Sequence, residues 1–207
     1  MLRGFYFITD ARLSRKGIIN DVKKAVSAGV CAVQYRNKEA STREMLMEAL
    51  RLRKICRDVP LIINDRIDIA LAVKADGVHL GQDDMPILLA RKILGRNKII
   101  GLTVHSLAEA KRAQEYGANY LGVSPVFLTN TKKDAGRSVG IGLIRRIKSK
   151  CKIPVVAIAG INLNNAESVV SAGADALSAL SAVIDRNDLA AEIYKFQSLF
   201  GINAKAK

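Results

Sequence analysis

Short apolar runs alternating with helix-period segments, a glycine-containing lead-in to every second run, and polar residues stationed just after the runs predict an α/β chain folded as a single (βα)8 barrel of the TIM type. Continuously apolar strands are those buried on both faces, as in a parallel sheet covered by helices. An open doubly wound sheet would use the same elements and is the alternative topology.

In chain order, strands are expected at Phe5 to Ile8, Val30 to Gln34, Leu61 to Asn64, Gly77 to Leu80, Ile99 to Leu102, Tyr120 to Val123, Val155 to Ala159 and Asp175 to Leu177. Helix-period segments lie between them. Thr42 to Arg57 sets Met45, Leu46, Ala49, Leu50 and Leu52 along one face, and Ser106 to Tyr116 opens with Ser106 and Glu109 in capping-box spacing. The even strands are led in by Ala28-Gly29-Val30, Ala75-Asp76-Gly77, Gly117-Ala118-Asn119 and Gly173-Ala174-Asp175, where glycine supplies the left-handed turn that ends a helix. Pro60 and Pro154 start two odd strands, where a missing N–H is tolerated. The pattern is a two-unit module repeated fourfold.

The 207 residues fit one domain, 1–207, ending in a basic tail at about 201–207 that is expected to be mobile. No apolar segment approaches the roughly 20 residues that cross a bilayer. The apolar run after Met1-Leu2-Arg3-Gly4 is too short for a secretory signal. Cys31, Cys56 and Cys151 are scattered and odd in number, which reads as reduced packing residues in a cytoplasmic protein, with neither disulfide nor zinc.

Thirty-three Lys plus Arg against 19 Asp plus Glu give a net charge of +14, which raises the question of nucleic acid. The cations gather at Arg51, Arg53, Lys54 and Arg57, at Arg91, Lys92 and Arg96, and at Arg145, Arg146, Lys148 and Lys150, toward the carboxyl ends of helices. There they complement the helix dipole and lie on the face of a barrel opposite the chemistry. The chain has no Trp and no aromatic strand platform, so no nucleic-acid partner is expected. The surplus charge can still draw in anionic ligands. Oligomeric state, including a homo-oligomer, is left open.

After the second strand, alternation sends Gln34, Arg36 and Lys38 to one side and Tyr35 and Asn37 to the other. Two cations and an amide facing one way suit a diphosphate. Asp65 follows the third strand and Asp84 the fourth. Either alone reads equally as a helix cap, whereas the pair on neighbouring strand ends favours Mg2+ bound by hard oxygens. Thr103 ends the fifth strand, and the long loop after the sixth carries Thr129, Thr131 and Lys132, a candidate grip on phosphate. Gly160 after the seventh strand, and a helix starting near Ser181 after the eighth, occupy the usual phosphate position of such barrels. His79 reads as a satisfied core residue and His105 as a residue near the mouth. Nothing suggests a Ser or Cys nucleophile.

With these residues in view, the chain resembles the thiamine phosphate synthase family from Tyr6 to Ser181. The matching motifs are Gln34-x-Arg36-x-Lys38, Asn64-Asp65, the run Ala75 to Asp84, Thr129-x-Thr131-Lys132 and the run Ile153 to Ile161. The resemblance implies that Gln34, Arg36, Lys38, Asn64, Thr103 and Lys132 bind a hydroxymethylpyrimidine diphosphate, with Arg36, Lys38, Thr103 and Lys132 catalytic. It implies Mg2+ on Asp65 and Asp84, and a thiazole phosphate held by Thr129, Thr131, Gly160, Leu180 and Ser181. In such enzymes the diphosphate leaves first and the thiazole nitrogen captures the pyrimidinylmethyl cation. Thr103 stands where the family usually has Ser, Ala159 replaces the first Gly of a Gly-Gly pair, and Ser124 and Leu128 replace a Gly and a Pro. The methyl of Ala159 is expected to tighten the thiazole-phosphate pocket. Two other functions fit the fold: a thiazole tautomerase, which as the family is understood lacks the paired aspartates and the Thr-x-Thr-Lys loop, and a non-catalytic phosphate- or nucleic-acid-binding barrel, which would not need acidic residues beside the cations.

Overall fold

A computed structural model of the chain describes residues 2–129, 137–184 and 186–202. Its strands β1 (Gly4–Ile8), β2 (Ala32–Tyr35), β3 (Leu61–Asn64), β4 (Gly77–Leu80), β5 (Ile99–Val104), β6 (Tyr120–Val123), β7 (Val155–Ile158) and β8 (Ala176–Ser178) close into a parallel barrel in sequence order. The ring shuts where Gly4 and Phe5 of β1 register with Ala176 and Leu177 of β8, which rules out the open sheet. The helices are α1 (Ile18–Ser27), α2 (Thr42–Ile55), α3 (Ile67–Ala72), α4 (Ile87–Leu94), α5 (Leu107–Glu115), α6 (Gly140–Lys148), α7 (Leu163–Ser171), α8 (Leu180–Val183) and α9 (Leu189–Ser198). The expected tail lies mostly outside the described residues, although the Ile202 N–H still donates to the Gln197 carbonyl oxygen at 3.1 Å.

Alternation along the strands makes two cores. Phe5, Phe7, Val33, Tyr35, Leu61, Ile63, Val78 and Leu80 point outward into a large core shared with the helices. Tyr6, Ala32, Tyr120, Val156 and Ala176 form a separate cluster inside the barrel. Small residues make room for large ones there. An added Cβ on Gly101 would lie 2.0 Å from Tyr120 Cζ, and on Gly77 it would lie 2.0 Å from the Ile99 carbonyl oxygen. The left-handed residue leading into β4 is Lys74 (φ 54°), not a glycine, so Gly77 is required by close approach to its neighbour strand rather than by a turn. Gly29, Gly117 and Gly173 do adopt positive φ, as the other lead-ins require.

The basic residues near the helix carboxyl ends serve the barrel's base. Asp76 accepts from the Leu61 N–H at 2.7 Å and pairs with Arg53 at 2.5 Å; Asp175 accepts from the Val155 N–H at 2.8 Å and pairs with Lys148 at 2.7 Å. Asn119 repeats the device with the Ile100 N–H and Arg91, both at 2.8 Å. In the first module Gln197 of α9 takes this part, accepting from the Phe5 N–H at 3.3 Å. Each module thus satisfies an otherwise orphaned strand N–H with a side chain from the next lead-in or the last helix.

Local chemistry explains the helix limits. Ser41 and Glu44 form a reciprocal capping box at α2, which stops at Ile55 rather than at Arg57 as expected, because Cys56 leaves helical geometry at ψ 45°. The inner stripe of α2 is Met45, Ala49 and Leu52, while Leu50 faces solvent. At α5 the Ser106 side chain accepts from the Glu109 N–H as expected, but the Glu109 carboxylate reaches back to the N–H of His105 instead of Ser106.

Candidate active site

At the carboxyl ends of the strands two pockets adjoin, and both are lined by Ile8, Arg36 and Ile158. The first adds Gln34, Lys38, Asn64, Asp65, Asp84 and Thr103, so six further sequence-predicted positions meet around one cavity. The second adds Thr129, Ala159, Gly160, Leu180 and Ser181. Thr131 and Lys132 lie outside the described residues.

The β2 end behaves as alternation requires. Gln34 is buried inside the barrel, and Arg36 and Lys38 follow it into the mouth. Tyr35 and Asn37 turn outward, where both side chains donate to Glu48 of α2, at 2.7 and 3.2 Å. Arg36 is fixed from the end of β1. Its guanidinium donates to Asp10 at 2.9 Å, and the Thr9 hydroxyl accepts from the Arg36 N–H at 2.8 Å and donates to its carbonyl at 2.9 Å.

Asp65 sits just past β3 in the left-handed region at φ 61°, a conformation that Asp tolerates better than most residues. Burial, reinforced by the facing Asp84 carboxyl, pushes its pKa up to about 6, while Lys38 at 3.9 Å and Arg36 pull the other way. Asp84 is oriented by the Gly81 N–H, which donates to its Oδ2 at 2.6 Å. Two converging carboxylates resist joint ionisation, and a divalent cation between them removes that conflict. Among the described residues no group of three His, Cys, Asp or Glu side chains converges. The two carboxylates are hard oxygen donors, the chemistry that suits Mg2+, an ion that keeps waters and takes phosphate oxygens beside one or two carboxylates.

Several lining residues escaped the sequence reading. Asp10 stands two residues past β1, as Asp65 stands one past β3, so its place just after a strand could have marked it. Gln82 also lines the first pocket, and its amide donates to the Thr103 carbonyl oxygen at 2.5 Å. His79 is hydrogen-bonded as a core residue should be, through Nδ1 to Tyr120 at 2.9 Å and Nε2 to Thr103 at 2.8 Å, yet it also forms part of the pocket wall. His105 instead donates from Nδ1 to the Ser124 carbonyl at 2.6 Å and lines neither pocket. Burial pushes the Cys56 thiol up to about 11, the behaviour of a packing residue rather than a nucleophile.

Fold and site together define a (βα)8-barrel enzyme with its chemistry at the carboxyl ends of the strands. Residues 5–183 match the family described as thiamine monophosphate synthase. Over 203 residues, 98% of its length and 92% of the relative's, the chain is 51% identical to the thiamine-phosphate synthase of Methanosarcina barkeri. It is 48% identical over 200 residues to that of Chloroflexus aurantiacus, covering 95% of this chain and 92% of the relative. The solved thiamine phosphate pyrophosphorylase from Pyrococcus furiosus superposes with a TM-score of 0.88 at 42% identity, covering 96% of this chain and 95% of that one. The chain belongs to the thiamine monophosphate synthase family, and its activity is that of a thiamine-phosphate synthase, a transferase of thiamine biosynthesis.

Proposed function

We propose that the chain joins hydroxymethylpyrimidine diphosphate to thiazole phosphate, or its carboxylated form, and releases pyrophosphate. The observation that carries this reading is the pair of adjoining pockets with Arg36 in their common wall. The pyrimidine diphosphate would occupy the pocket of Gln34, Lys38, Asn64 and Thr103, and the thiazole phosphate the pocket of Thr129, Gly160, Leu180 and Ser181.

Arg36 and Lys38 stabilise charge that builds on the departing diphosphate as its C–O bond breaks and the electron pair leaves with it. Asp65 and Asp84 would hold Mg2+, which would supply further positive charge to that leaving group. Asn64 and Thr103 add uncharged hydrogen bonds. The thiazole nitrogen, held in line by its own phosphate, then gives its lone pair to the methylene carbon, and no covalent enzyme intermediate is needed. Lys132 and Thr131 carry over from the family motif as further grips on the two phosphates. Three free cysteines suit a cytoplasmic setting, and the cations paired at the barrel's base support a reading without nucleic acid.

The test mixes purified protein with both phosphorylated substrates and Mg2+. Thiamine phosphate and pyrophosphate are expected, EDTA should abolish them, and Asp84→Asn or Lys132→Ala should slow turnover strongly while Cys31→Ala does not. Undiminished turnover in Asp84→Asn or Lys132→Ala would remove the corresponding metal or phosphate assignment.

A further inference from the structure

Beneath the mouth, five side chains from five strands form a continuous hydrogen-bonded chain. Gln34 Nε2 donates to Tyr6 Oη at 3.2 Å, Tyr6 Oη lies 2.6 Å from Tyr120 Oη, Tyr120 Oη lies 2.9 Å from His79 Nδ1, and His79 Nε2 lies 2.8 Å from Thr103 Oγ1. Its two ends, Gln34 and Thr103, face the first pocket. Glycines clear the space: an added Cβ on Gly101 would overlap Tyr120, and on Gly122 it would lie 2.8 Å from His79 Cε1. Tyr120 also stacks on the His79 ring with centroids 5.4 Å apart.

With a neutral imidazole, one proton arrangement fills every bond of the chain and also uses both buried phenol protons. An amide nitrogen only donates, so Tyr6 accepts from Gln34, and its own buried proton is satisfied by going to Tyr120. Tyr120 then gives its own proton to His79 Nδ1. The ring carries its proton on Nε2 and donates to Thr103, whose hydroxyl proton is left for the pocket. Gln34, committed to donation through Nε2, presents Oε1 as an acceptor. Burial raises the pKa of both phenols above the ordinary tyrosine range, so each keeps the proton the chain requires.

We propose that Tyr120 is a positioning residue that sets this polarity, making Thr103 a donor and Gln34 an acceptor toward the pyrimidine substrate. The proposal rests on the assignment of Gln34 and Thr103 to that substrate. A donor and an acceptor in the wall of one pocket complement an aminopyrimidine, which offers ring nitrogens and an exocyclic amine. Tyr120 acts through its neighbours and touches no substrate.

Long-range proton–nitrogen NMR of 15N-histidine protein, with His105→Gln used for assignment, reads the His79 tautomer without substrate. Wild type is expected to show a neutral ring protonated on Nε2, and Tyr120→Phe, which keeps the ring and removes the hydroxyl, should lose that preference. In the same variant KM for the pyrimidine diphosphate should rise about tenfold, the loss of roughly one buried hydrogen bond, with KM for the thiazole phosphate unchanged. Should Tyr120→Phe fail to fold, Tyr6→Phe removes the donor that commits the Tyr120 proton and should likewise loosen the tautomer. An Nδ1-protonated or doubly protonated His79 in wild type, an unchanged tautomer in the variant, or equal rises in both KM values would overturn the proposal. Unchanged kinetics in Gln34→Ala and Thr103→Ala would instead sink the substrate assignment, leaving the ligand-free tautomer to decide the relay.

Discussion

The guanidinium of Arg36 donates to the Asp10 carboxylate at 2.9 Å, and through this pair the loop after β1 holds the charged residue that both pockets share. The Asp10 side chain is only 4% exposed and that of Arg36 12%, so the pair is largely removed from water. A charge held there without a partner would be costly.

Asp10→Asn keeps the shape and removes the charge. Unfolding in urea should show a loss of about 1–3 kcal/mol, the penalty for a weakened buried charge-assisted bond. Steady-state kinetics should show a fall in kcat/KM of about tenfold or more, because the Arg36 fork is no longer held in one orientation. Wild-type values on both counts would mean that Arg36 is positioned by Thr9 alone.

The Asp65 carboxyl, raised from 3.8 to about 6 by burial and by Asp84, gives the metal-free protein a definite pH dependence. Between those values the folded state holds more protons than the unfolded state. The stability from this site is therefore fully present below about pH 4 and is lost as pH rises through about 6. Magnesium needs the ionised form, so its stabilisation of the protein should be larger above pH 6 than below it. Carboxyl-carbon NMR should find the Asp65 midpoint lower in Asp84→Asn, since one of the raising influences is gone. A midpoint unmoved by that change would mean that the two carboxylates do not interact.

Ala159 occupies the left-handed region at φ 77°. An L-residue pays about 1–2 kcal/mol there, and glycine's greater freedom in the unfolded chain offsets about 0.4–1 kcal/mol of the relief. Ala159→Gly should therefore stabilise by roughly 0.5–1 kcal/mol and lower KM for the thiazole phosphate, as read by urea unfolding and initial rates. Gly160→Ala should do the reverse, because its Cβ would lie 2.7 Å from the Leu128 carbonyl oxygen at a φ of 69°.

Asp175 offers a control away from the mouth. Asp175→Ala leaves the Val155 N–H and Lys148 without their partner at the barrel's base, which should cost about 1–3 kcal/mol in thermal or chemical unfolding. Both KM values should stay at wild-type levels. A selective rise in one of them would indicate that the base of the barrel is coupled to the mouth.

Strand and helix order was legible in the sequence because it depends on local periodicity: the eight expected strands differ from the observed ones by no more than two residues at either end. The split at Gln34 to Lys38 was legible for the same reason, as a period of two dictates which side chains share a face. The placement of Asp65 and Asp84 followed from their standing after successive strands. Closure was not legible. An open sheet accommodates the same elements, and only the pairing of β1 with β8, through Gly4 with Ala176 and Phe5 with Leu177, excludes it. Nor does any local pattern reveal that Asp10 holds Arg36, 26 residues away, or that Tyr6 meets Tyr120 across 114 residues. Those pairs exist because a closed, tilted ring turns the inward faces of distant strands toward one axis, and which side chains share a level there depends on the register of all the strands at once.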